Sequence, residues 1–167
     1  MTKNTALTML LCGGNQLTSL DVSKNTALTL LECPGNKLTS LDVSGCTALT
    51  KLSCDQNRIK GSGMDALVES LPNVSQGKMY VIYNENEGNV MTTVQVAAAK
   101  AKGWIPYYYI DKGKGKWEEY PGSDPSGIEE LKNSKVEELK YYDLNGRQVK
   151  TPRKGVYIIN GKKVLVK

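Results

Sequence analysis

Apolar and polar positions recur with a fixed period through the first sixty residues. Leu7-Thr-Met-Leu10-Leu-Cys12-Gly-Gly-Asn15-Gln-Leu17 is followed by Leu28-Thr-Leu-Leu31-Glu-Cys33-Pro-Gly-Asn36-Lys-Leu38, then by Leu49-Thr-Lys-Leu52-Ser-Cys54-Asp-Gln-Asn57-Arg-Ile59. Each matched position lies 21 residues after the previous one. Leu10 and Cys12 are two apart, so both point to one side of a strand. That side must be interior, and one repeat alone cannot cover it. Stacking the next repeat about 4.8 Å away does. Asn15, Asn36 and Asn57 then fall above one another at the turn after the strand, where an amide satisfies backbone groups that a tight bend leaves unpaired. Leu20-Asp-Val-Ser23 and Leu41-Asp-Val-Ser44 also alternate. They predict a second strand per repeat, with Leu20 and Val22 inward and Asp21 and Ser23 outward. No helical period fits between the repeats.

The positions between the buried ones face outward on the first strand. They are Met9, Leu11 and Gly13, then Leu30, Glu32 and Pro34, then Lys51, Ser53 and Asp55. The candidate ligand face is therefore Met9, Leu11, Leu30, Glu32, Lys51, Ser53 and Asp55, apolar in two repeats and charged in the third. Two readings stand: a binding face, as in repeat proteins generally, or the plain outside of a short sheet. Cys12, Cys33 and Cys54 form a ladder without the C-x₂₋₄-C spacing of a metal site. Parallel Cβ vectors on adjacent rungs disfavour a disulfide. They read as free buried thiols acting as small hydrophobes. Cys46 stands where the other repeats carry Asn4 and Asn25, and is expected to be exposed or half-buried.

The period breaks at Lys60-Gly61-Ser62-Gly63. Met64, Leu67, Val68 and Leu71 share one helical face before Pro72 stops the helix. Lys78 to Tyr83 reads as a strand. Thr92 or Thr93 caps a second, Ala-rich helix running to Lys102, with Gly103 as its stop. Trp104 to Ile110 is another strand, with Trp117 to Tyr120 a candidate third. Helix and strand in alternation predict two enlarged repeats that continue the sheet in parallel and cover its end. Tyr107, Tyr108, Tyr109, Trp117 and Tyr120 form a candidate aromatic patch, suited to sugar rings or a protein partner if exposed, or else partly core. Asn84-Glu-Asn86-Glu-Gly88 has part of a calcium-loop pattern, but its glycine is one place early and the closing glutamate is missing. Lys112-Gly-Lys-Gly-Lys116 is neither a P-loop nor a dinucleotide fingerprint and reads as a hairpin tip.

Tyr120-Pro-Gly-Ser-Asp-Pro-Ser-Gly127 has linker composition. Asn145-Gly146 and Asn160-Gly161, flanked by strand formers, predict hairpins and hence a small antiparallel β unit. The expected division is repeats over 1–60, an α/β capping segment over 61–121, a linker over 122–135 and the β unit over 136–167.

Composition narrows the chemistry. The chain of 167 residues has no histidine, which removes Ser-His-Asp and Cys-His catalysis and His-ligated zinc. It also has no phenylalanine, so nine tyrosines and two tryptophans carry all the aromatic surface. The net charge of +5 is uneven: residues 131–167 carry 10 Lys+Arg against 3 Asp+Glu, and residues 1–130 carry 12 against 14. A basic tail suits nucleic acid or an anionic surface, but no nucleic-acid reader motif accompanies it. Solvated lysines on a small β unit are the plainer reading. No apolar stretch is long enough to span a membrane, and no signal peptide is visible. Met1 to Leu7 already read as mid-repeat, as in a chain cut from a longer one.

The template L-x-x-L-x-L-x-x-N/C-x-L, with Cys in the third apolar place, is the leucine-rich-repeat pattern. The fuller form Leu-Asp-Val-Ser-x-Asn-Thr-Ala-Leu-Thr-x-Leu-x-Cys-x-x-Asn-x-Leu-Thr-Ser resembles repeats of Bacteroidetes surface proteins. Asn89-Val-Met-Thr with Gln95-Val-Ala-Ala-Ala-Lys-Ala-Lys-Gly-Trp104 and Tyr107-Tyr-Tyr resembles the block that closes such repeats. Tyr142-Asp-Leu-Asn-Gly-Arg-Gln-Val149 with Lys154-Gly-Val-Tyr-Ile-Ile-Asn-Gly-Lys-Lys-Val164 is similar to the C-terminal sorting domain of type IX secretion cargo, though shorter. The resemblance implies an α/β fold: a leucine-rich-repeat solenoid with parallel strands, an α/β C-terminal cap, then the antiparallel unit. It implies export and display at the cell surface, associated with the outer membrane, and it carries no catalytic residues. The expected function is recognition or adhesion, with a protein or glycan bound on the repeat sheet. The alternative is a structural spacer within a larger secreted protein. Neither needs catalysis, a cofactor, a metal or nucleic acid.

Overall fold

Each 21-residue repeat contributes one short strand: β1 (Met9–Leu11), β2 (Leu30–Glu32) and β3 (Lys51–Ser53). They pair in parallel with Met9 opposite Leu30 and Leu30 opposite Lys51, so the sequence period is also the sheet register. The structure, a computed structural model, describes residues 3–84, 87–110, 115–123, 128–130, 140–149, 155–159 and 162–166. The chain divides into two units, Met1–Gly122 and Ser123–Lys167. Glu85 and Asn86 of the calcium-like loop, residues 112–114 of the glycine-lysine tip, residues 124–127 of the linker and the Asn160-Gly161 turn lie outside the described residues.

Three further strands extend the sheet: β4 (Gly77–Ile82), β5 (Trp104–Ile110) and β6 (Lys116–Glu119), in the order β1-β2-β3-β4-β5-β6. β4 and β5 pair in parallel with their predecessors, and β6 turns back antiparallel. Leu52 is opposite Met79 and Gly77 is opposite Trp104, so each of these steps takes 27 residues instead of 21. The added length goes into helices, which advance only about 1.5 Å per residue. α1 (Ser62–Ser70) buries Met64, Leu67 and Val68. α2 (Thr93–Ala101) buries Gln95, Val96 and Ala99. Thr92 caps α2 through a full capping box: its Oγ1 accepts from Gln95 N at 3.3 Å, and Gln95 Oε1 accepts from Thr92 N at 2.8 Å.

The core lies between the sheet and the returning segments. Leu10, Leu31 and Leu52 fill the centre of the three repeat strands, and Trp104 is fully buried with its Nε1 donating to Pro72 O at 2.8 Å. An asparagine ladder binds the turns together. Asn36 Nδ2 donates to Cys12 O at 3.0 Å and its Oδ1 accepts from Leu17 N at 3.0 Å. Asn57 repeats both bonds one step on, to Cys33 O at 2.9 Å and from Leu38 N at 3.0 Å. A further rung, Asn89, accepts from Ile59 N at 2.8 Å and donates to Cys54 O at 2.8 Å.

The structure corrects three expectations in detail. Leu20–Ser23 and Leu41–Ser44 alternate in burial, but they form no ladder. Asp21 and Asp42 instead fold each segment into a turn, their Oδ1 atoms accepting from Ser23 N at 3.0 Å and Ser44 N at 2.8 Å, which competes with strand pairing. Cys46 is buried, not exposed. It occupies the inward turn position of Asn25, with its Sγ 3.5 Å from Val22 O, and Ser70 Oγ of α1 closes over the neighbouring Val43 N at 3.1 Å. Within the stretch expected to be a linker, Ile128–Glu130 form a strand, β7.

The second unit is a five-stranded sheet of order β7-β11-β10-β8-β9, with β8 (Tyr141–Tyr142), β9 (Gln148–Val149), β10 (Gly155–Ile159) and β11 (Lys162–Val166). All pairings are antiparallel except β7 with β11. Asp143 Oδ1 closes the β8–β9 turn by accepting from Asn145 N and Arg147 N, with Gly146 at φ 79°. Among the described residues no helix is long and apolar enough to cross a membrane.

Candidate functional site

One face of the six-stranded sheet is turned away from the core. Its side chains follow from strand alternation carried across the register. Met9 and Leu11 at the β1 edge are 54% and 62% exposed. Leu30, Glu32, Lys51 and Ser53 are half-buried beside them. Lys51 Nζ sits 3.0 Å from Glu32 Oε1 and 5.5 Å from the centroid of Tyr80. Asp55 departs from the expected outward group. It is only 4% exposed, and its Oδ1 accepts from Ser53 Oγ at 2.7 Å. Burial pushes its carboxyl above the ordinary range, against the pull of that hydrogen bond.

The sheet divides the five aromatics grouped by the sequence. Tyr107, Tyr109 and Trp117 stand on the outer face, with Tyr109 opposite Trp117 across β5 and β6. Tyr108 and Tyr120 face the other way, packed against the core with ring centroids 5.5 Å apart. In their place the outer cluster gains Tyr80 and Tyr83. Tyr80 stacks on Tyr107 at 5.3 Å, Tyr83 stacks on Tyr109 at 4.8 Å, and Trp117 meets Tyr80 edge-on at 4.9 Å. Tyr83 reaches this face through a β-bulge. The register shifts between Tyr80 and Ile82, so Val81 and Ile82 both turn inward and Tyr83 turns out. The Met9–Leu30 patch and the aromatic patch are thus two ends of one surface, joined by the Glu32–Lys51–Tyr80 contacts.

Glu87 lies at the turn end of this surface. Its carboxylate accepts from Gln56 N, with both oxygens at 3.2 Å, and from Tyr83 N. The first bond pins a residue in the left-handed region, Gln56 at φ 56°. Burial raises the Glu87 carboxyl to about 7, outweighing these backbone bonds, and nearby Asp55 adds to the rise. A groove of about 300 Å³ beside it is lined by Asn84, Gln56, Arg58 and Glu87. The folded chain therefore holds the Glu87 proton more tightly than the unfolded chain, whose carboxyl has its ordinary value near 4.5. The resulting stabilisation is full below about pH 4.5 and is lost as the pH rises through about 7. Glu87→Gln keeps an acceptor and removes the charge. Its urea midpoint is expected to exceed the parent's at pH 8 and to match it below pH 4.5. Equal midpoints at pH 8 would contradict this assignment.

All four cysteines are free, with Cys33, Cys46 and Cys54 buried and Cys12 half-buried. Burial pushes the Cys33 and Cys54 thiols well up, holding them protonated. Comparison with family models, with curated proteins and with solved structures finds no match to this chain.

Proposed function

We propose that the chain is a recognition or adhesion module that binds through the outer face of its six-stranded sheet. The observation that carries this reading is the continuity of that face: exposed Met9 and Leu11 at one edge, an ion pair at the centre and five aromatic rings at the other. On this reading the three repeats are turns of a leucine-rich-repeat solenoid, and the segment from α1 to β6 is its α/β cap. The in-register stacking and the asparagine ladder support that assignment. Export to the cell surface rests on the resemblance of the repeats and of the Tyr142–Val149 and Lys154–Val164 stretches to surface and sorting sequences.

A spacer without a ligand of its own is the second reading. The mutual satisfaction of Glu32, Lys51 and Tyr80 favours it, since these groups leave little unpaired. Catalysis is not part of either reading. Asp21 and Asp42, at equivalent positions of neighbouring repeats, are turn formers whose carboxyls sit below the usual range. Hydrogen bonds from Ser23 and Ser44 are the main cause.

The two readings separate in a screen of the intact chain against arrayed glycans and matrix proteins. Leu11→Glu, Leu30→Glu and Lys51→Glu each place a new negative charge on the face. Each is expected to weaken a hit about tenfold or more with the fold retained by far-UV circular dichroism, and Lys51→Glu, which sets a carboxylate beside Glu32, also lowers the unfolding temperature. A hit that tolerates all three assigns binding elsewhere and leaves the sheet as a spacer.

A further inference from the structure

The stacking of the outer tyrosines decides which part of each ring is offered to a ligand. Tyr80 and Tyr107 are 5.3 Å apart with planes 23° from parallel, and Tyr83 and Tyr109 are 4.8 Å apart with planes 3° from parallel. Rings lying flat side by side need roughly 6.5–7 Å between centroids, so each pair must overlap face to face. Tyr80 is covered twice, by Tyr107 on the β5 side and by the Lys51 ammonium on the β3 side. Trp117 crosses Tyr80, Tyr83 and Tyr109 at 66–76°.

A sugar ring binds an aromatic side chain by laying its C–H face flat on an open ring face. Each stacked tyrosine gives one face to its partner, and Tyr80 gives its other face to the Lys51 ammonium. What they offer is a ridge of apolar ring edges and hydroxyls, and Tyr and Trp are the residues that dominate protein interfaces. Met9 and Leu11 extend the same face to the far edge, five strand spacings or about 24 Å away. Exposed aliphatic groups at that distance suit a polypeptide and add nothing for a sugar. Two carboxyl groups mark one end. Glu87 touches Tyr83 N, with buried Asp55 beside it. Among the described residues neither forms an ion pair, and Arg58, which lines the same groove, forms none with them.

We propose that the outer face docks a protein partner, seated on the ridge of Tyr80, Tyr83, Tyr107, Tyr109 and Trp117, with a lysine or arginine of the partner against Glu87. This rests on the outer face being the binding surface, and it names the class of ligand and the part of the face that holds it.

The test is selection of a displayed library of random twelve-residue peptides on the intact chain, with a glycan array in parallel. Enriched peptides are expected to carry Lys or Arg. A synthetic representative should lose about tenfold in affinity or more on Trp117→Ala and on Tyr83→Ala. Its affinity should rise between pH 6 and pH 8 as Glu87 ionises, and stay flat in Glu87→Gln. Trp104 is buried and Trp117 half-buried, so bound peptide should shield the acrylamide-quenchable part of the fluorescence. Far-UV circular dichroism checks each variant's fold. If the alanine variants do not fold, Glu87→Gln and the fluorescence of the parent chain still decide. The proposal is overturned if no peptide is enriched, or if a glycan binds in a Trp117-dependent way. It is also overturned if peptide binding ignores Trp117→Ala and Glu87→Gln. In that last case, sensitivity to Leu11→Glu and Leu30→Glu would keep the face as the binding surface and reject only this placement. Indifference to all of them would reject both.

Discussion

Asn57→Ala is expected to lower the unfolding free energy by about 3–5 kcal/mol, read as a large drop in urea midpoint at unchanged slope. Asn57 is 2% exposed and bonded on both sides of its amide. Its Oδ1 accepts from Leu38 N at 3.0 Å, and its Nδ2 reaches Cys33 O, Cys54 O and Asp55 O at 2.9, 3.0 and 3.3 Å. Alanine strands a buried N–H in the second repeat and removes the donor shared by the carbonyls. Each orphaned group costs about 1–3 kcal/mol where water cannot enter. Asn57→Asp tests the cause. It keeps the shape and the acceptor but turns an oxygen toward three carbonyls, so it should rescue nothing. Asn15 provides the contrast. It is exposed and bonds only within its own turn, to Cys12 O and Gly13 O, so Asn15→Ala should cost less than about 1 kcal/mol. Equal costs at the two positions would mean that the ladder does not tie one repeat to the next.

Gly103→Ala carries the second large effect, at least about 3 kcal/mol. Gly103 follows α2 at φ +82°, a backbone state that penalises any Cβ. A Cβ built there would also lie 1.7 Å from Val74 O, a backbone atom with no rotamer through which to escape. The surrounding chain is held in place. Val74 N donates to Lys102 O at 2.9 Å and Gly77 N donates to Gly103 O at 2.9 Å. Relief therefore means breaking the bonds that align the approach to β4 with the approach to β5. Gly14 is the matched control, with φ +67° and open space around the added carbon. Gly14→Ala should show only the conformational penalty, about 1 kcal/mol. Thermal unfolding of both variants separates the clash from the dihedral.

What the sequence disclosed depended on how local the determining physics is. The period of 21 fixed the strand register from β1 to β3, because a ladder asks only that equivalent residues recur at equal spacing. The start and stop of α2 were also readable, since a cap and a terminating Gly103 act within one helical turn, although the choice between Thr92 and Thr93 and the reciprocal bond of Gln95 came only with the structure. The last ladder rung, the third, was harder to see. Asn89 follows Asn57 by 32 residues, and only the shared asparagine-x-apolar form of Asn57-Arg-Ile59 and Asn89-Val-Met91 marks it. The second strands failed because a single aspartate oxygen, at Asp21 and Asp42, redirects the backbone N–H that a ladder would have used.

The candidate site was legible in its repeat half and not in its aromatic half. Alternation predicts the sides of Met9, Leu11, Leu30 and Lys51 directly. It also separates Tyr107 and Tyr109 from Tyr108, once β5 is taken as one continuous strand. It places Tyr83 with Met79 and Val81 in the core, and only the bulge, a three-dimensional event, reverses that assignment. Glu87 carried no sequence signal beyond its place in a polar loop. Its position is set by the backbone donors of Gln56 and Tyr83, which come from different strands' turns.

The change of step from 21 to 27 residues has a consequence for how such a chain can vary. Duplicating or deleting one 21-residue unit inserts or removes a whole strand, with every ladder bond regenerated at the new junction. The stacked tyrosines, Trp117 and Glu87 sit entirely in the non-repeating steps, so unequal recombination within the repeats would lengthen the aliphatic and ionic end and leave the aromatic end intact. Extent and chemistry would then be inherited separately: the count of repeats sets how far the face extends, and a segment that cannot be copied piecemeal keeps its aromatic end.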